Sequence, residues 1–548
     1  MKRHWSLHLF ASRRWKDFMI MRKRLPPDVI FVTAGIATAL SYGMLGGEIM
    51  PAALHLPEAR VPWFLALVGA QFVLLLTAFG ALRRHAGDGA LSRKFKWLIM
   101  GFAVVFRLCL LPQTPWLSND IYRYVWDGRL VTHGLNPYSL PPAAPELAGL
   151  RDAAVYGRMS HTGVNTVYPP LLQYLFAAGV ALAEALDFNP VLSLKAILLL
   201  FDLVLIGMLL HMLPNFGPAA GMVLLYAWHP LPVIEIAGSG HSDVVGVLCL
   251  VMAMHASRQN HHARAGLFLA LAFLVKFLAL LLLPFWLMMA WRSAGRRAAV
   301  RCFTAFAATI LLGYAPVAGA GSQLLAGLLV YSAKWRFNDS FFAMLFNAVH
   351  ALLPDRLVVL LMVPPDWEVT PTVLQTRRID LALHLAKAGV TVLFLLISMR
   401  VGRHFWQTPA VGMTAHLPQL SLAILASLLL LSPTLQPWYL LWLLPLLCLS
   451  HEVRKAGSPP IWQPALIPAL AGKPALGGLW LLTATVFLSY WILHDYLVSG
   501  LWREAAWWKW LEFGPPYGLL FWGIVAQRRM PSLQRQKMKM PPAEAGGI

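Results

Sequence analysis

Long apolar segments recur along almost the whole chain. Several of them run for about 18 or more residues with few or no charged side chains. Hydrophobic residues make up 58% of the 548 residues and charged residues only 13%, a composition that soluble globular domains do not show. Because a lipid bilayer offers the backbone no hydrogen-bond partners, segments of this kind fold as helices. The sequence therefore predicts an all-α polytopic membrane protein.

The basic residues lie in short segments beside these apolar runs. The formal net charge is +21, with 45 Lys and Arg against 24 Asp and Glu. This clustering is typical of the cytoplasmic side of membrane proteins and of contact with anionic membrane lipids, so we expect no nucleic-acid partner. Residues 1–27 are predicted to form a basic cytoplasmic interfacial segment, residues 28–527 a transmembrane domain, and residues 528–548 a basic cytoplasmic tail.

Following the basic segments along the chain gives about 13 membrane segments, with both termini in the cytoplasm. Two large regions, residues 112–168 and 320–379, then face the extracytoplasmic side as loops. Two positions on the same side of a membrane must be joined by an even number of crossings. At residues 170–240 and 265–291 the number of apolar runs between two such positions is odd. We therefore expect segments there that enter the membrane without crossing it, or that are broken within it. The expected breaks are at His229-Pro230, Pro232, Lys276 and Pro284.

The cysteines give no indication of a metal site or a disulfide framework. Cys109, Cys249, Cys302 and Cys448 all lie within apolar runs and lack the spacing of a ligand set. We expect buried free thiols, no bound metal and no cofactor. No Gly-rich phosphate loop is present in the sequence either, which argues against a soluble nucleotide as substrate.

One polar segment, Ser118–Tyr138, interrupts the apolar runs and is too polar to cross a bilayer. Ser118 or Asn119 is suited to cap a helix, Gly134 to end it in a left-handed conformation, and Pro137 to prevent its resumption. The pattern predicts a helix of about four turns.

On this helix four polar side chains share one face. Asp120, Arg123, Tyr124 and Asp127 follow each other at i, i+3, i+4 and i+7. One interpretation is a solvated amphipathic helix with an internal salt bridge. The other is a site in which two carboxylates, a guanidinium and a phenol hold a ligand.

Further polar stretches fall on the same predicted membrane face. They contain Tyr168, His241 and Asp243, residues 334–339, and residues 436–439. Charged groups at a membrane surface beside apolar grooves suit a substrate with a lipid tail and a charged head. Lys276, inside an apolar run, is predicted to be functional because a buried ammonium is costly.

The motifs in these stretches resemble those of bacterial polyprenol-phosphate-mannose-dependent α-mannosyltransferases of the glycosyltransferase C superfamily. Each motif is weak alone, but all occur in order over about residues 95–450. They are Asn119-Asp-Ile-Tyr-Arg-Tyr-Val-Trp-Asp-Gly-Arg129, Gly134-Leu-Asn-Pro-Tyr138, Thr166-Val-Tyr-Pro-Pro-Leu171, His229-Pro-Leu with Gly240-His-Ser-Asp243, Leu274-Val-Lys-Phe277, Phe337-Asn-Asp339, and Ser432-Pro-Thr-Leu-Gln-Pro-Trp-Tyr-Leu-Leu-Trp442.

The resemblance implies a helical bundle of the glycosyltransferase C type in the bacterial inner (plasma) membrane. It implies transfer of a hexose, most plausibly mannose, from a polyprenyl-phosphate donor to a glycan or glycolipid acceptor on the extracytoplasmic face. Asp120 stands at the place of the family's catalytic acid. Many members have two adjacent acids, whereas Asn119 precedes Asp120 here, so a partner carboxylate would have to be Asp127.

The physical requirements of such a reaction agree with these residue types. A sugar hydroxyl is a poor nucleophile, so a carboxylate must take its proton as the anomeric carbon becomes oxocarbenium-like, and the departing phosphate needs cations. The aromatic rings offer apolar faces for a sugar. The candidates for donor or acceptor binding are Arg123, Tyr124, Asp127, Arg129, Tyr168, His241, Asp243, Lys276, Lys334, Arg336, Asn338, Gln436, Trp438 and Tyr439.

Other interpretations of the same residues stay open at this point. His241 and Asp243 are also suited to cap the next helix, and the aromatic residues near 438 and 502–510 to form an interfacial belt. Arg107, Asp202 and Glu235 are candidates for pairing inside the bundle. Charged residues in spans and broken helices also suit a transporter or a lipid flippase, although no inverted repeat is visible. An inactive structural subunit is a further alternative.

Overall fold

The computed structural model describes residues 25–46, 57–86, 91–213, 221–410, 412–450 and 474–537. The predicted interfacial segment 1–27 lies outside the described residues except for its last three, and the tail 528–548 except for the end of the last helix.

The described residues are helical, with no strand among them beyond one isolated parallel bridge between Phe337 and Thr434. The predicted all-α fold is confirmed. The N-terminal helices are α1 Pro27–Gly46, α2 Pro57–Ala86, α3 Arg93–Leu110, α4 Asp120–Thr132, α5 Pro170–Ala185, α6 Pro190–Met212, α7 Asp243–Arg258, α8 His262–Phe273 and α9 Leu283–Ala294. The later helices are α10 Arg296–Tyr314, α11 Ala326–Lys334, α12 Phe341–Leu352, α13 Asp355–Met362, α14 Pro371–Gln407, α15 Leu417–Leu431, α16 Leu444–Leu449, α17 Pro474–Thr485, α18 Trp491–Ser499 and α19 Ala506–Lys537.

Eight helical segments of the described chain are long and apolar enough to cross a membrane, and nine if the pair α12 and α13, bent by 101°, forms one span. Three shorter apolar helices of 10–17 residues accompany them. The outward faces of these segments carry exposed large apolar side chains such as Leu311, Leu312 and Leu360, as lipid contact requires. This census rests on length and composition, so the figure of about 13 segments stays a prediction.

Both segments at which the crossing count failed are broken helices. Residues 221–238 form a short helix Leu224–Ala227, an extended His229, the turn Pro230–Pro232 and a π-helix Val233–Gly238. In the second segment α8 ends at Phe273, Lys276 is extended, and a 3-10 helix Phe277–Leu282 leads into α9. The breaks at His229-Pro230 and at Lys276 lie where the sequence predicts them, whereas Pro284 lies in the first turn of α9, where a missing backbone N–H costs nothing.

The region predicted to be a second external loop, residues 320–379, is largely helical in the structure. Helices α11, α12 and α13 lie within it, and α14 begins at Pro371. Its placement on the extracytoplasmic side stays a prediction. Pro364, Pro365, Asp366 and Glu368 lie in the connection between α13 and α14, whereas Asp355, Arg356, Arg377 and Arg378 lie within helices.

Helix α4, in the first polar region, packs so closely against α5 that the two backbones are in contact. A Cβ at Gly128 of α4 would lie 2.5 Å from the carbonyl oxygen of Phe176 in α5, so only glycine permits this contact. The left-handed Gly134 follows the end of α4, as predicted. Asn119 stands at the N-cap position but makes no side-chain cap bond, and Ser118 Oγ accepts a hydrogen bond of 3.3 Å from the Asp120 amide instead.

The four cysteines are free thiols, as expected. Three are buried, and Cys109 is half-buried.

Candidate active site

A cavity of about 370 Å³ opens beside the N-terminus of α4. Its size falls in the range of roughly 300–1,000 Å³ that small-molecule sites occupy. Its polar and aromatic lining comes from segments far apart in the sequence: Asn119, Asp120, Arg123, Tyr124, Ser160, His161, Asn165, Tyr168, Ser242, Asp243, Lys276, Tyr331, Trp335, Gln436, Trp438, Tyr439, Tyr490 and Trp502. All five predicted polar stretches thus meet at one place, together with Lys276, and the stretch 334–339 contributes Trp335 and Phe337.

Asp120 is the first residue of α4, and its carboxyl group faces this cavity. Its side chain retains 35% exposure, and it lines the cavity wall. Desolvation inside the site raises the pKa of Asp120 to about 6, against the opposing effect of the Lys276 ammonium. A carboxyl with such a pKa is ionised at neutral pH and is a stronger base than an ordinary aspartate.

Asp127 lies about two turns further along α4 and is fully buried. Its carboxylate accepts hydrogen bonds from Arg123 Nε at 2.8 Å, from Thr166 Oγ1 at 2.6 Å and from Gln173 Nε2 at 3.4 Å. Arg123 also donates to the Val164 carbonyl oxygen at 2.9 Å. Asp127 therefore ties α4 to the returning loop and does not line the cavity, while Arg123 does.

Tyr124 and Tyr168 form one aromatic wall of the site. Their ring centroids are 4.9 Å apart in an edge-on contact, and Tyr124 stacks on Phe176 at 4.5 Å. The Tyr138 hydroxyl donates to the Tyr168 carbonyl oxygen at 2.7 Å, which fixes the start of α5. Desolvation raises the pKa of both Tyr124 and Tyr168 well above the usual value, so both phenols remain neutral.

Lys276 reaches the cavity from the break between α8 and α9. Its Nζ donates to the Asp243 carboxylate at 2.6 Å and lies 3.6 Å from the centroid of the Tyr439 ring. Asp243 also accepts from Trp442 Nε1 at 2.7 Å. The hydroxyls of Tyr439 and Tyr331 are 2.5 Å apart. The ammonium is thus held over an aromatic face at the cavity wall, where an anionic group of a ligand can approach it.

His241 is buried directly behind Asp120. Its ring stacks on Trp438 with centroids 3.7 Å apart. Its Nδ1 is 3.9 Å from Asp120 Oδ2, and its Nε2 is 3.5 Å from Glu235 Oε2. His241 therefore acts on the cavity through Asp120 and Trp438.

Besides Asp127 and His241, four of the predicted binding residues do not line the cavity. Arg129 pairs with Asp152 at 2.5 Å, because the helical twist turns it away from the face of Asp120. Lys334 is exposed at the end of α11. Arg336 pairs with Asp339 at 2.7 Å and lies over the rings of Phe342 and Phe346. The structure therefore places these three cations outside the cavity.

Asn338, the fourth, is buried in a contact with the C-terminal helix. Its amide Nδ2 donates to Glu512 at 2.7 Å, and its backbone N–H donates to Glu504 at 2.9 Å. Lys509 joins Glu504 and Asp339 nearby. The Trp502–Trp510 segment, to which the sequence assigns no role, therefore carries residues that anchor the chain at Phe337–Asp339, and its Trp502 reaches the cavity.

Several cavity residues carry no motif that would reveal them in the sequence. Tyr331 and Tyr490 lie on apolar helices or their ends, where an aromatic residue is indistinguishable from an interfacial one. Glu235 gave a signal as an acid within an apolar run, but its nearness to His241 is visible only in the fold. Among the described residues no group of three or more His, Cys, Asp or Glu side chains is arranged to hold a metal ion.

Residues 31–292 match the family model described as alpha-(1->6)-mannopyranosyltransferase, N-terminal domain. This match covers just under half of the chain and contains Asp120, His241, Asp243 and Lys276. Residues 31–292 therefore resemble the N-terminal domain of this mannosyltransferase family. No curated protein sequence matches the chain.

The mannosyltransferase is thus a membrane glycosyltransferase with many apolar helices. Its family domain supplies the acid, the buried histidine and the lysine of the cavity. Other parts of the cavity wall come from residues beyond the matched region, namely Tyr331, Trp335, Gln436, Trp438, Tyr439, Tyr490 and Trp502.

Proposed function

We propose that this mannosyltransferase transfers mannose from a polyprenyl-phosphate donor to a hydroxyl group of a glycan or glycolipid at the extracytoplasmic face of the bacterial inner membrane. The observation that carries the proposal is the presence, in one cavity, of an ionised acid with a raised pKa, Asp120, and of a lysine, Lys276, held over an aromatic face. The Asp120 carboxylate can accept the proton of a sugar hydroxyl, and the Lys276 ammonium can stabilise the negative charge of a departing phosphate.

In the proposed reaction the bond between the anomeric carbon and the phosphate oxygen breaks, and the oxygen keeps the electron pair. The acceptor oxygen forms the new bond to the anomeric carbon, and its proton passes to Asp120. Lys276 and Arg123 stabilise the charge that develops on the polyprenyl phosphate. The family description specifies an alpha-(1->6) linkage, so a 6-hydroxyl of the acceptor sugar is the nucleophile that we propose.

Apolar residues on one side of the cavity support a lipid-linked donor. Leu172, Val275, Phe277 and Leu328 line it beside Lys276 and belong to α5, the α8–α9 break and α11. A polyprenyl chain placed along these side chains keeps its tail out of water while its phosphate reaches the lysine. Trp335, Trp438 and Tyr168 offer faces for the two sugar rings.

The test is transfer by the purified protein in lipid nanodiscs, supplied with radiolabelled polyprenyl-phosphate mannose and a mannose-containing acceptor. We expect a labelled product with the donor, none with a nucleotide-linked mannose, and release of polyprenyl phosphate. A lipid flippase, the rival class, would move the donor across the bilayer without breaking its sugar-phosphate bond. Movement of the intact lipid with no cleavage would therefore replace the proposal by that class.

A further inference from the structure

A buried histidine and a buried glutamate stand in line behind Asp120. His241 Nδ1 is 3.9 Å from Asp120 Oδ2, and His241 Nε2 is 3.5 Å from Glu235 Oε2. Three atoms of this line, His241 Nδ1, His241 Nε2 and Glu235 Oε2, are buried and have no hydrogen-bond partner. Since buried polar atoms in proteins are almost always paired, their alignment calls for an explanation.

The backbone fixes this alignment. Glu235 lies in the π-helix Val233–Gly238, and its carbonyl oxygen accepts a hydrogen bond of 2.8 Å from the His241 amide. Gly240 has a φ of +80°, and a Cβ there would lie 2.3 Å from the Cδ1 atom of Ile121 in α4. A π-helix and a left-handed glycine thus bring His241 directly against the helix that carries Asp120.

The partners of Glu235 determine where its proton lies. Oε1 accepts a hydrogen bond of 2.9 Å from the Tyr490 hydroxyl, so the oxygen that faces His241 is Oε2. Burial, with the nearby charges of Asp243 and Asp120, raises the pKa of Glu235 to about 8, against hydrogen bonds from Tyr490 and Ser239. Around His241 the remaining charged groups are Lys276 and Asp120. A neutral Glu235 therefore has an O–H on Oε2 to donate toward His241.

We propose that Glu235 and His241 are positioning residues which hold Asp120 ready to accept the acceptor's proton. The Glu235 O–H donates to His241 Nε2, and the His241 Nδ1–H donates to Asp120 Oδ2, with both hydrogen bonds closing when substrate fills the cavity. Asp120 Oδ2 is then occupied, and Oδ1 is left to take the proton. This inference rests on the transfer reaction proposed above.

In this proposal a neutral Glu235 fixes the tautomer of His241. If Glu235 loses its proton, its carboxylate accepts from His241 Nε2–H, and the bare Nδ1 then faces the Asp120 carboxylate. This pairing is repulsive and leaves Asp120 unsupported. In serine hydrolases the group behind the histidine likewise acts by fixing its tautomer and orientation. Activity of the wild-type protein should therefore fall as the pH rises through about 8.

Glu235→Gln and Glu235→Leu form the decisive pair of variants. The Gln amide oxygen can accept from Tyr490 while its N–H₂ donates to His241 Nε2 and cannot ionise. We expect Glu235→Gln to lower kcat about threefold and to remove the fall in rate above pH 8. Glu235→Leu should lower kcat about 30- to 100-fold, with the donor KM unchanged, since the tautomer is then no longer fixed.

An infrared titration of the substrate-free protein supplies a readout that does not depend on transfer. The difference spectrum of wild type minus Glu235→Gln should contain the carbonyl band of a protonated carboxylic acid that disappears between pH 7 and pH 9, since the subtraction removes the band of other buried acids such as Glu512. Failure of the wild type to transfer mannose would overturn the proposed reaction while leaving this titration interpretable. Absence of the band, or a Glu235→Gln variant as slow as Glu235→Leu, would overturn the positioning role, because Glu235 would then be ionised or act as a proton acceptor.

Discussion

Lys276 donates a 2.6 Å hydrogen bond to the carboxylate of Asp243 at the wall of the cavity. The pair brings together the break between α8 and α9 and the first residue of α7, and Trp442 Nε1 holds the same carboxylate from a third segment. The ammonium is therefore fixed before any ligand arrives. A cation that is already oriented loses little side-chain entropy when a phosphate binds.

Lys276→Met should weaken use of the lipid donor. One charge-assisted hydrogen bond contributes roughly 1.5–3 kcal/mol, so we expect the donor KM to rise about 10- to 100-fold, with a smaller change for the acceptor. Arg336→Met is the matched control, since Arg336 pairs with Asp339 outside the cavity. Initial rates at varied donor and at varied acceptor separate the two effects. Equal donor KM values for Lys276→Met and wild type would remove Lys276 from the phosphate site.

Asp120→Asn keeps the shape of the side chain but removes the base. We expect kcat to fall by about 10²- to 10⁴-fold while the lipid donor still binds, because only the proton transfer is lost. The measurement is single-turnover transfer together with donor binding to the purified variant. Near-normal transfer by Asp120→Asn would show that another group takes the proton.

Asp127→Asn should act mainly on stability. Asp127 is buried and accepts from Arg123, Thr166 and Gln173, so the loss of its charge leaves the Arg123 guanidinium without its ionic partner. We expect a loss of about 2–4 kcal/mol in unfolding free energy, seen as a lower thermal aggregation temperature, and a smaller effect on kcat than from Asp120→Asn. Equal losses of folded protein in both variants would instead favour a salt-bridged helix without a catalytic role.

The acid side of the pH profile should report Asp120. Its pKa is raised to about 6, and the base form is required, so kcat/KM should rise with pH through about 6 and stay level until Glu235 begins to ionise near pH 8. If the pKa of Asp120 were that of an ordinary aspartate, the rise in kcat/KM would be centred near pH 4. Profiles measured with donor well below its KM check this, and thermal melts over the same pH range show whether unfolding contributes. A rate independent of pH between 5 and 7 would contradict the assignment.

Labelling with a membrane-impermeant thiol reagent tests the orientation. In a variant lacking the four native cysteines, Ser139→Cys should be labelled from outside intact cells and Arg93→Cys only after permeabilisation. Both positions lie in described segments on opposite sides of α3, and Ser139 and Arg93 are exposed. The reverse pattern would place Asp120 in the cytoplasm and contradict the proposed extracytoplasmic reaction.

Local sequence determines much of this protein. Runs of apolar residues produce helices wherever they occur, because the bilayer leaves the backbone no other partner. The cap residues and Gly134 set the limits of α4, and helical periodicity alone makes Arg123 and Asp127 neighbours on it. Pro230 marks the first broken helix by its own chemistry, because proline lacks a backbone N–H and its ring clashes with the preceding turn. Lys276 marks the second break only as a charged residue within an apolar run.

Tertiary structure decided which of these residues share a site. Arg129 and Arg336 are candidate binding residues in the sequence, but the fold places both outside the cavity, where they pair with Asp152 and Asp339. Tyr490 reaches the cavity from far along the chain. The line from Asp120 through His241 to Glu235 depends on a π-helix and on a backbone contact between Gly240 and Ile121. Sequence patterns carry the period of a helix but not the distance between helices, which packing alone sets.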